Sequence, residues 1–154
     1  MKKRVILFSA ILMLALLTLT GCGNKKAISV DDFKSLAKEA NLKIIDATDE
    51  FKNYKHIKSA TAAKSNDDWQ VEFYVLNNDE NAKGMFNTNK TIFESSKSGL
   101  SSNKSVSLNN YESFSLKTSG YFKYVARIDN TVVYANIKEE YANSAKEFIK
   151  KLGY

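Results

Sequence analysis

The sequence predicts an α+β fold, an antiparallel sheet covered by about three helices that lie mostly on one face. Two observations support this class. Segments near the start, in the middle and at the end carry apolar residues at helical spacing, and the last third contains three strand-like runs joined by two-residue turns. Strands and helices do not alternate regularly, which argues against a doubly wound parallel sheet. The 154 residues, 44% apolar and 26% charged, suit one domain.

The first 21 residues have the pattern of a secretory signal. A basic head, Met1–Arg4, is followed by an uncharged apolar run, Val5–Leu19, and then by small residues. The alternative, a membrane-spanning helix, needs about 20 apolar residues, and this run stops short of that length. We therefore expect residues 1–21 to be removed.

The end of this segment, Leu19-Thr20-Gly21-Cys22, resembles the lipobox of bacterial lipoproteins, in which an aliphatic residue and two small residues precede a cysteine. The resemblance implies cleavage between Gly21 and Cys22 and attachment of diacylglycerol to the Cys22 thiol, with or without an N-acyl chain such as palmitate. Two acyl chains are enough to anchor a protein stably in a membrane. We expect residues 22–29 to be the lipidated cysteine and a short tether, and residues 30–154 to form one domain.

The net charge limits the classes of partner that the chain is suited to bind. Without residues 1–21 the chain keeps 20 basic residues against 17 acidic ones, and a net charge of +3 does not suggest a nucleic-acid-binding protein. One Cys and one His cannot form an internal disulfide or a multi-histidine metal site, so we expect no cofactor besides the lipid.

Lys outnumbers Arg 21 to 2, a bias that favours a Gram-positive bacterium of low GC content. The expected location is the outer face of its cytoplasmic membrane.

The first half of the domain is predicted to hold two helices and three strands. Ser29 can cap a helix that begins at Val30, because its side-chain oxygen can accept from the free N–H groups of the first turn, and Asn41 can end it in a left-handed conformation. Three strands are predicted next: one over Leu42–Ala47, a weak one of small residues over Ile57–Lys64, and a clear one over Trp69–Leu76. Between the first two lies an irregular stretch, Thr48–Lys55, which Phe51 and Tyr54 are expected to anchor. A second helix begins at Asp79, and its buried side is predicted to carry Ala82, Met85, Phe86, Asn89, Ile92 and Phe93.

The second half is predicted to be a strand meander followed by a helix. Glu94–Asn110 is rich in Ser, Asn and Lys, which is typical of a mobile loop, with a short strand near its end. Strands over Tyr111–Thr118, Tyr121–Ile128 and Thr131–Ile137 are joined by tight turns, and a helix over Glu139–Leu152 closes the chain. Turn, strand and helix from Asp67 to Phe93 are echoed from Asp129 to Ile149, which indicates a possible ββα pseudo-repeat.

Most of the chain after residue 29 also resembles small lipoproteins of Gram-positive gut anaerobes. The resemblance rests on VDDFKSLAKEANLKIIDAT near the start, WQVEFYVLNNDENAKGMFNTNKTIFES in the middle, and YVARIDNTVVYAN with the ending KKLGY. No activity is established for that group, so the resemblance implies fold and location only.

Catalytic motifs are weak in this sequence. His56 has no neighbouring motif that supplies a positioned partner, so we interpret it as a surface or half-buried side chain. Five adjacent acidic pairs lie at predicted turns or helix starts, where carboxylates stabilise the helix dipole or act as caps. The sequence holds no G-x-S-x-G elbow, P-loop or dinucleotide fingerprint. We therefore predict a protein that is not an enzyme.

The candidate binding face consists of side chains that alternate outward along three strands. If Val71 and Phe73 face the helices, a charged and aromatic set shares the opposite, uncovered face: Glu72, Tyr74, Tyr121, Lys123, Arg127 and Tyr134. Tyr and Arg are enriched at interfaces, so this set is suited to a peptide, a glycan or a partner protein. The alternative is that the tyrosines reflect strand propensity and that Arg127 pairs with Glu72 across the sheet.

Three functions remain open. The preferred one is a membrane-anchored, extracytoplasmic lipoprotein that binds a ligand or partner without catalysis. A small cell-envelope hydrolase or accessory enzyme would need His56 or an acidic pair at the floor of a pocket. A structural surface protein would show a featureless solvent face.

Overall fold

The computed structural model describes residues 24–154, which fold into a seven-stranded antiparallel sheet and three α-helices and confirm the α+β class. The helices are α1 (Val30–Glu39), α2 (Asp79–Ser95) and α3 (Ala142–Lys151), and the strands are β1 (Lys43–Asp46), β2 (Ile57–Lys64), β3 (Gln70–Leu76), β4 (Ser102–Leu108), β5 (Tyr111–Thr118), β6 (Tyr121–Ile128) and β7 (Thr131–Lys138). Short 3₁₀ helices cover Thr48–Phe51 and Glu139–Tyr141. No helix within residues 24–154 is long and apolar enough to cross a bilayer. The predicted signal, its Gly21–Cys22 cleavage site and the lipidation residue Cys22 lie outside the described residues.

The sheet is covered on both faces. Its strand order is β1-β2-β3-β7-β6-β5-β4, so β3 and β7 are neighbours in the middle. The first face carries Phe73, which packs with Phe33 of α1 and Phe148 of α3 in the main core. The second face carries Val132, which packs in a separate core with Phe86 of α2. Two of the three helices lie on one face, and the third covers part of the other.

Helix α1 begins at Val30 with the predicted cap at Ser29, and the structure shows that this cap is reciprocal. The Ser29 side chain accepts a hydrogen bond from the Asp32 backbone N–H at 3.1 Å, and the Asp32 carboxylate accepts one from the Ser29 N–H at 3.0 Å. The Ser29 N–H and the Ser29 hydroxyl both donate to the Asp32 carboxylate, which favours its ionised form and lowers the pKa of Asp32. Asn41 has a φ of 56°, so the predicted left-handed stop is confirmed.

Three details of the predicted elements are wrong. Residues 94–110 are less irregular than expected: α2 continues to Ser95, and β4 pairs along seven residues with β5 through backbone groups that need no apolar side chains. Tyr54 is 54% exposed, and Phe51 instead packs edge-on against Tyr74 at 5.6 Å. Ile92 is 55% exposed, because it lies at the border of the α2 side that contacts the sheet.

The units of the possible repeat are present as β3–α2 and β7–α3, but their helices lie on opposite faces. Because β3 and β7 are antiparallel neighbours, a two-fold axis normal to the sheet would exchange them and keep both helices on the same face. The two units are therefore not related by such a rotation.

A buried guanidinium fastens α2 to the sheet. Arg127 on β6 is 2% exposed; its Nε donates to Glu112 Oε2 at 2.5 Å and its Nη1 to Asp79 Oδ1 at 2.6 Å. Glu112 lies directly opposite on β5, and Asp79 is the first residue of α2, so one side chain joins two strands and a helix. The expected pairing of Arg127 with Glu72 is wrong, because β7 lies between β6 and β3.

We expect Arg127→Ala to lower the free energy of unfolding by about 3 kcal/mol, because it leaves two carboxylates without their shared cation. The matched control is Lys117→Ala, which removes an exposed ion pair with Glu139 (2.7 Å) and should cost less than about 1 kcal/mol. Urea unfolding followed by circular dichroism measures both. Equal losses of unfolding free energy in the two variants would contradict the role of Arg127 in fastening α2 to the sheet.

Candidate functional site

The six side chains predicted as a binding face do share the second face of the sheet, because they alternate in register along β3, β6 and β7. The expectation that this face is uncovered is wrong, because α2 lies across β5, β6 and β7. Arg127 and Tyr74 are buried, Glu72, Lys123 and Tyr134 are half-buried, and Tyr121 alone of the six is exposed. The set is therefore not one open platform.

Lys123 and Tyr134 belong to the packing of α2 on the sheet. Lys123 Nζ donates to Ser96 Oγ at 2.7 Å and lies 5.6 Å from the centre of the Phe93 ring. The Tyr134 ring lies 5.4 Å from the same Phe93 ring. These contacts close the β5–β7 part of the second face, and α2 also buries Leu76 at the end of β3. The part around Ile45, Ala62 and Glu72, on β1, β2 and the start of β3, stays open.

The open part of the second face forms a groove of about 260 Å³. Its wall is the 3₁₀ helix Thr48–Phe51, and its floor is low because Ala60 and Ala62 of β2 fill little space. Glu72 and Tyr74 of β3 lie opposite those two alanines in the register. We call this surface the Glu72 groove; its principal residues are Ile45, Glu50, Phe51, Ala62, Glu72 and Tyr74.

Two neighbours on the same strand orient the Glu72 carboxylate. Gln70 Nε2 donates to Oε1 at 2.8 Å, and the Tyr74 hydroxyl donates to Oε2 at 2.5 Å. A carboxylate can accept about four hydrogen bonds, so acceptor capacity remains for a ligand. Within residues 24–154, Glu72 takes part in no ion pair. The groove therefore presents an ordered anion whose charge is not neutralised by the chain.

Tyr74 stays neutral and acts as a donor. Burial raises the pKa of the Tyr74 hydroxyl far above its ordinary value of about 10, and the charge of Glu72 raises it further. The pKa of Tyr134 is also raised, first by burial and then by the same carboxylate. At physiological pH the hydroxyl that holds Glu72 therefore keeps its proton.

A second cavity, of about 320 Å³, adjoins the Glu72 groove and shares Gln70 and Glu72 with it. It extends toward Trp69 and Tyr134, and the ion pair of Lys64 with Asp68 (3.3 Å) lies on its lining. The concave surface thus continues across Glu72. A ligand longer than the groove itself would have room on this side.

The Glu72 groove is acidic. Its lining contains two carboxylates, Glu50 and Glu72, and no basic side chain. The chain as a whole has more basic than acidic residues, so the sign of the local charge is opposite to that of the protein. Such a surface attracts cations and repels anions.

His56 and the Glu72 groove lie apart. His56 is exposed in the turn before β2, with its ring 6.2 Å from that of Tyr54, and it does not line the groove. Glu50 is exposed on the wall, whereas Glu72 lies half-buried on the floor. In the part of the chain that the structure describes, no three His, Cys, Asp or Glu side chains lie close enough to hold a metal ion.

Of the ten residues that line the groove, the predicted binding face contains only Glu72 and Tyr74. Sequence reasoning missed the other eight, among them Glu50, Phe51 and Ala62, and it predicts Phe51 only as an anchor. The small residues of β2 were the available signal, because a strand of alanines beside a strand of large side chains leaves a depression. Recognising it requires the pairing of Ala62 with Glu72, which is a tertiary contact.

Tyr74→Phe should make stability less sensitive to alkaline pH. A hydroxyl whose pKa is raised in the folded state keeps its proton there while the unfolded chain loses it, so the wild type loses stability above about pH 10. The Tyr74 contribution is at most about 1.4 kcal/mol per pH unit. Urea unfolding at several pH values should show a shallower loss for Tyr74→Phe, and a loss like that of the wild type for the exposed Tyr121→Phe. Identical slopes for all three proteins would contradict the role of Tyr74.

Comparison of the chain with protein-family models, with curated proteins and with solved structures finds no match.

Proposed function

We propose that this protein is a lipid-anchored, extracytoplasmic binding protein, held at the outer face of a bacterial cytoplasmic membrane through Cys22, and that the Glu72 groove binds a cationic group of its ligand. The resemblance of Leu19-Thr20-Gly21-Cys22 to a lipobox supports the anchor. The observation that carries the ligand class is a groove lined by two carboxylates and by no basic residue.

An alkylammonium or guanidinium group suits this groove in three ways. It can donate hydrogen bonds to the acceptor sites of Glu72 that Gln70 and Tyr74 leave free, and charge-assisted bonds of this kind are roughly twice as strong as neutral ones. Its charge is attracted by Glu50 as well. Phe51 and Tyr74 supply aromatic surface, against which cations are stabilised. The groove is smaller than most drug-sized sites, which fits a single lysine-like or arginine-like side chain.

Binding fits the geometry better than hydrolysis does. The hydrolase alternative requires His56 or an acidic pair at the floor of a pocket, whereas His56 lies outside the groove and Glu50 is exposed on its wall. A purely structural role would leave the concave surface and the ordered carboxylate without a purpose. A binding role uses both.

The anchor is tested by metabolic labelling of the full chain with a palmitate analogue in a Gram-positive host. We expect incorporation of the label and recovery of the protein in the detergent phase. Cys22→Ala should abolish both, because it removes the thiol that takes the lipid, and Lys26→Ala should retain both. A full-length, unlabelled wild-type chain in the soluble fraction would contradict the anchor.

The groove is tested with a cationic probe, Nα-acetyl-lysine amide, and its uncharged counterpart, Nα-acetyl-norleucine amide. We expect the lysine compound to perturb the NMR signals of β1–β3, and Glu72→Gln to weaken its binding by roughly tenfold, which corresponds to the loss of about 1.4 kcal/mol.

Glu94→Gln is the matched control, because Glu94 is exposed on α2 and does not line the groove. It removes the same charge and should leave the affinity unchanged. Equal binding of the charged and uncharged probes, or equal weakening by both substitutions, would overturn the assignment of the groove to a cation.

A further inference from the structure

The segment expected to be a loose tether is fastened to the domain from its first described residues. Asn110, in the turn between β4 and β5, bonds the backbone of Lys25 twice: the Lys25 N–H donates to Asn110 Oδ1 at 3.0 Å, and Asn110 Nδ2 donates to the Lys25 carbonyl at 2.7 Å. The neighbouring Asn109 Nδ2 donates to Asn24 Oδ1 at 3.3 Å. The chain is thus paired with the sheet immediately after residue 23.

The side chain of Lys25 adds two further contacts. Its Nζ donates to the Gly153 carbonyl at 2.8 Å, beyond the end of α3, and lies 3.8 Å from the centre of the Tyr111 ring. Ala27 and Ile28 then pack against the main core. Residues 24–29 are therefore held against the folded domain by these contacts.

All of these contacts lie at one end of the sheet. Asn110 and Tyr111 are at the β4–β5 turn, and Asn110 Nδ2 also donates to Asp129 in the β6–β7 turn at 3.0 Å. We call this the Asn110 end. The opposite end carries the Ser119–Gly120 turn and the cavity lined by Leu100 and Ser102.

The distance from the anchor to this end is short. Cys22 is three residues before Lys25, and an extended chain covers at most about 3.6 Å per residue, so the two Cα atoms are within about 11 Å of each other. An acylated Cys22 must lie at the level of the lipid headgroups. The chain between Cys22 and Lys25 is too short for the domain to invert relative to the membrane.

Resting on the proposed lipid anchor, we propose that the Asn110 end is the membrane-facing surface of this protein and that the domain is held against the lipid surface in a fixed orientation. The sheet then stands on the bilayer with the Ser119–Gly120 turn pointing outward. The Glu72 groove, on a side of the sheet, opens parallel to the membrane.

Fluorescence quenching in liposomes tests the orientation. The full chain is produced in a lipidating host, the mass of its N-terminal peptide is checked for acyl chains, and it is reconstituted into phosphatidylcholine–phosphatidylglycerol vesicles that contain a headgroup quencher. A dye is placed at Ser107→Cys or at Ser102→Cys, two exposed serines of β4 about 17 Å apart, because a strand rises about 3.4 Å per residue. We expect several-fold stronger quenching at position 107, near the Asn110 end.

Two variants remove the constraint on the orientation, one by weakening the attachment of residues 24–29 and one by lengthening the anchor, and neither changes a residue of the core. Asn110→Ala deletes both bonds to the Lys25 backbone, and insertion of ten Gly-Ser residues between Gly23 and Asn24 lengthens the anchor by about 18 Å on average. Both should reduce the difference between the two dye positions, whereas Asn87→Ala, an exposed Asn of α2, should preserve it.

The outcomes separate the two proposals. Equal quenching at both positions in an acylated protein, or a difference that the insertion leaves unchanged, overturns the fixed orientation and leaves the lipoprotein assignment intact. A protein that carries no acyl mass overturns both.

Discussion

The ion pairs of Arg127 with Asp79 and Glu112 determine which part of the second face is closed. A guanidinium buried to this degree is favourable only when its hydrogen-bonding partners are in place, and here they come from a neighbouring strand and from the first turn of α2. The helix is thereby held over β5, β6 and β7. The part of the face that α2 does not reach, around Ile45, Ala62 and Glu72, stays open and forms the Glu72 groove. The site is therefore the area that the fastened helix leaves free.

Local features of the fold were accessible from the sequence. The cap at Ser29, the left-handed Asn41 and the tight turns depend on a few adjacent residues, and these were predicted correctly. The assignment of six side chains to one face was also correct, because strand alternation has a period of two. Each of these properties is set within a short stretch of chain.

Features that depend on distant contacts were not accessible. The insertion of β7 between β3 and β6 separates Glu72 from Arg127, and nothing near either residue indicates it. The face on which α2 lies follows from the same long-range pairing. The groove was missed for a related reason, since its floor and its carboxylate come from strands whose register becomes known only in the folded sheet.

The tether and the groove are built from different parts of the same sheet. Residues 24–29 bind at one end of the strands, whereas the groove lies on a flank, so a change in one leaves the other in place. In the proposed orientation, this separation leaves the flank accessible to soluble molecules and to neighbouring proteins.

The alanine floor has a consequence for how such a protein can diversify. Ala62 lines the groove and lies outside the main core, so a larger aliphatic side chain at this position would make the groove shallower without disturbing the packing of α1 and α3. Ala60 is different, because it is buried in the second core with Tyr74 and Leu76, where added volume would overpack the neighbours. The depth of the groove can thus be adjusted at one position while the main core stays unchanged.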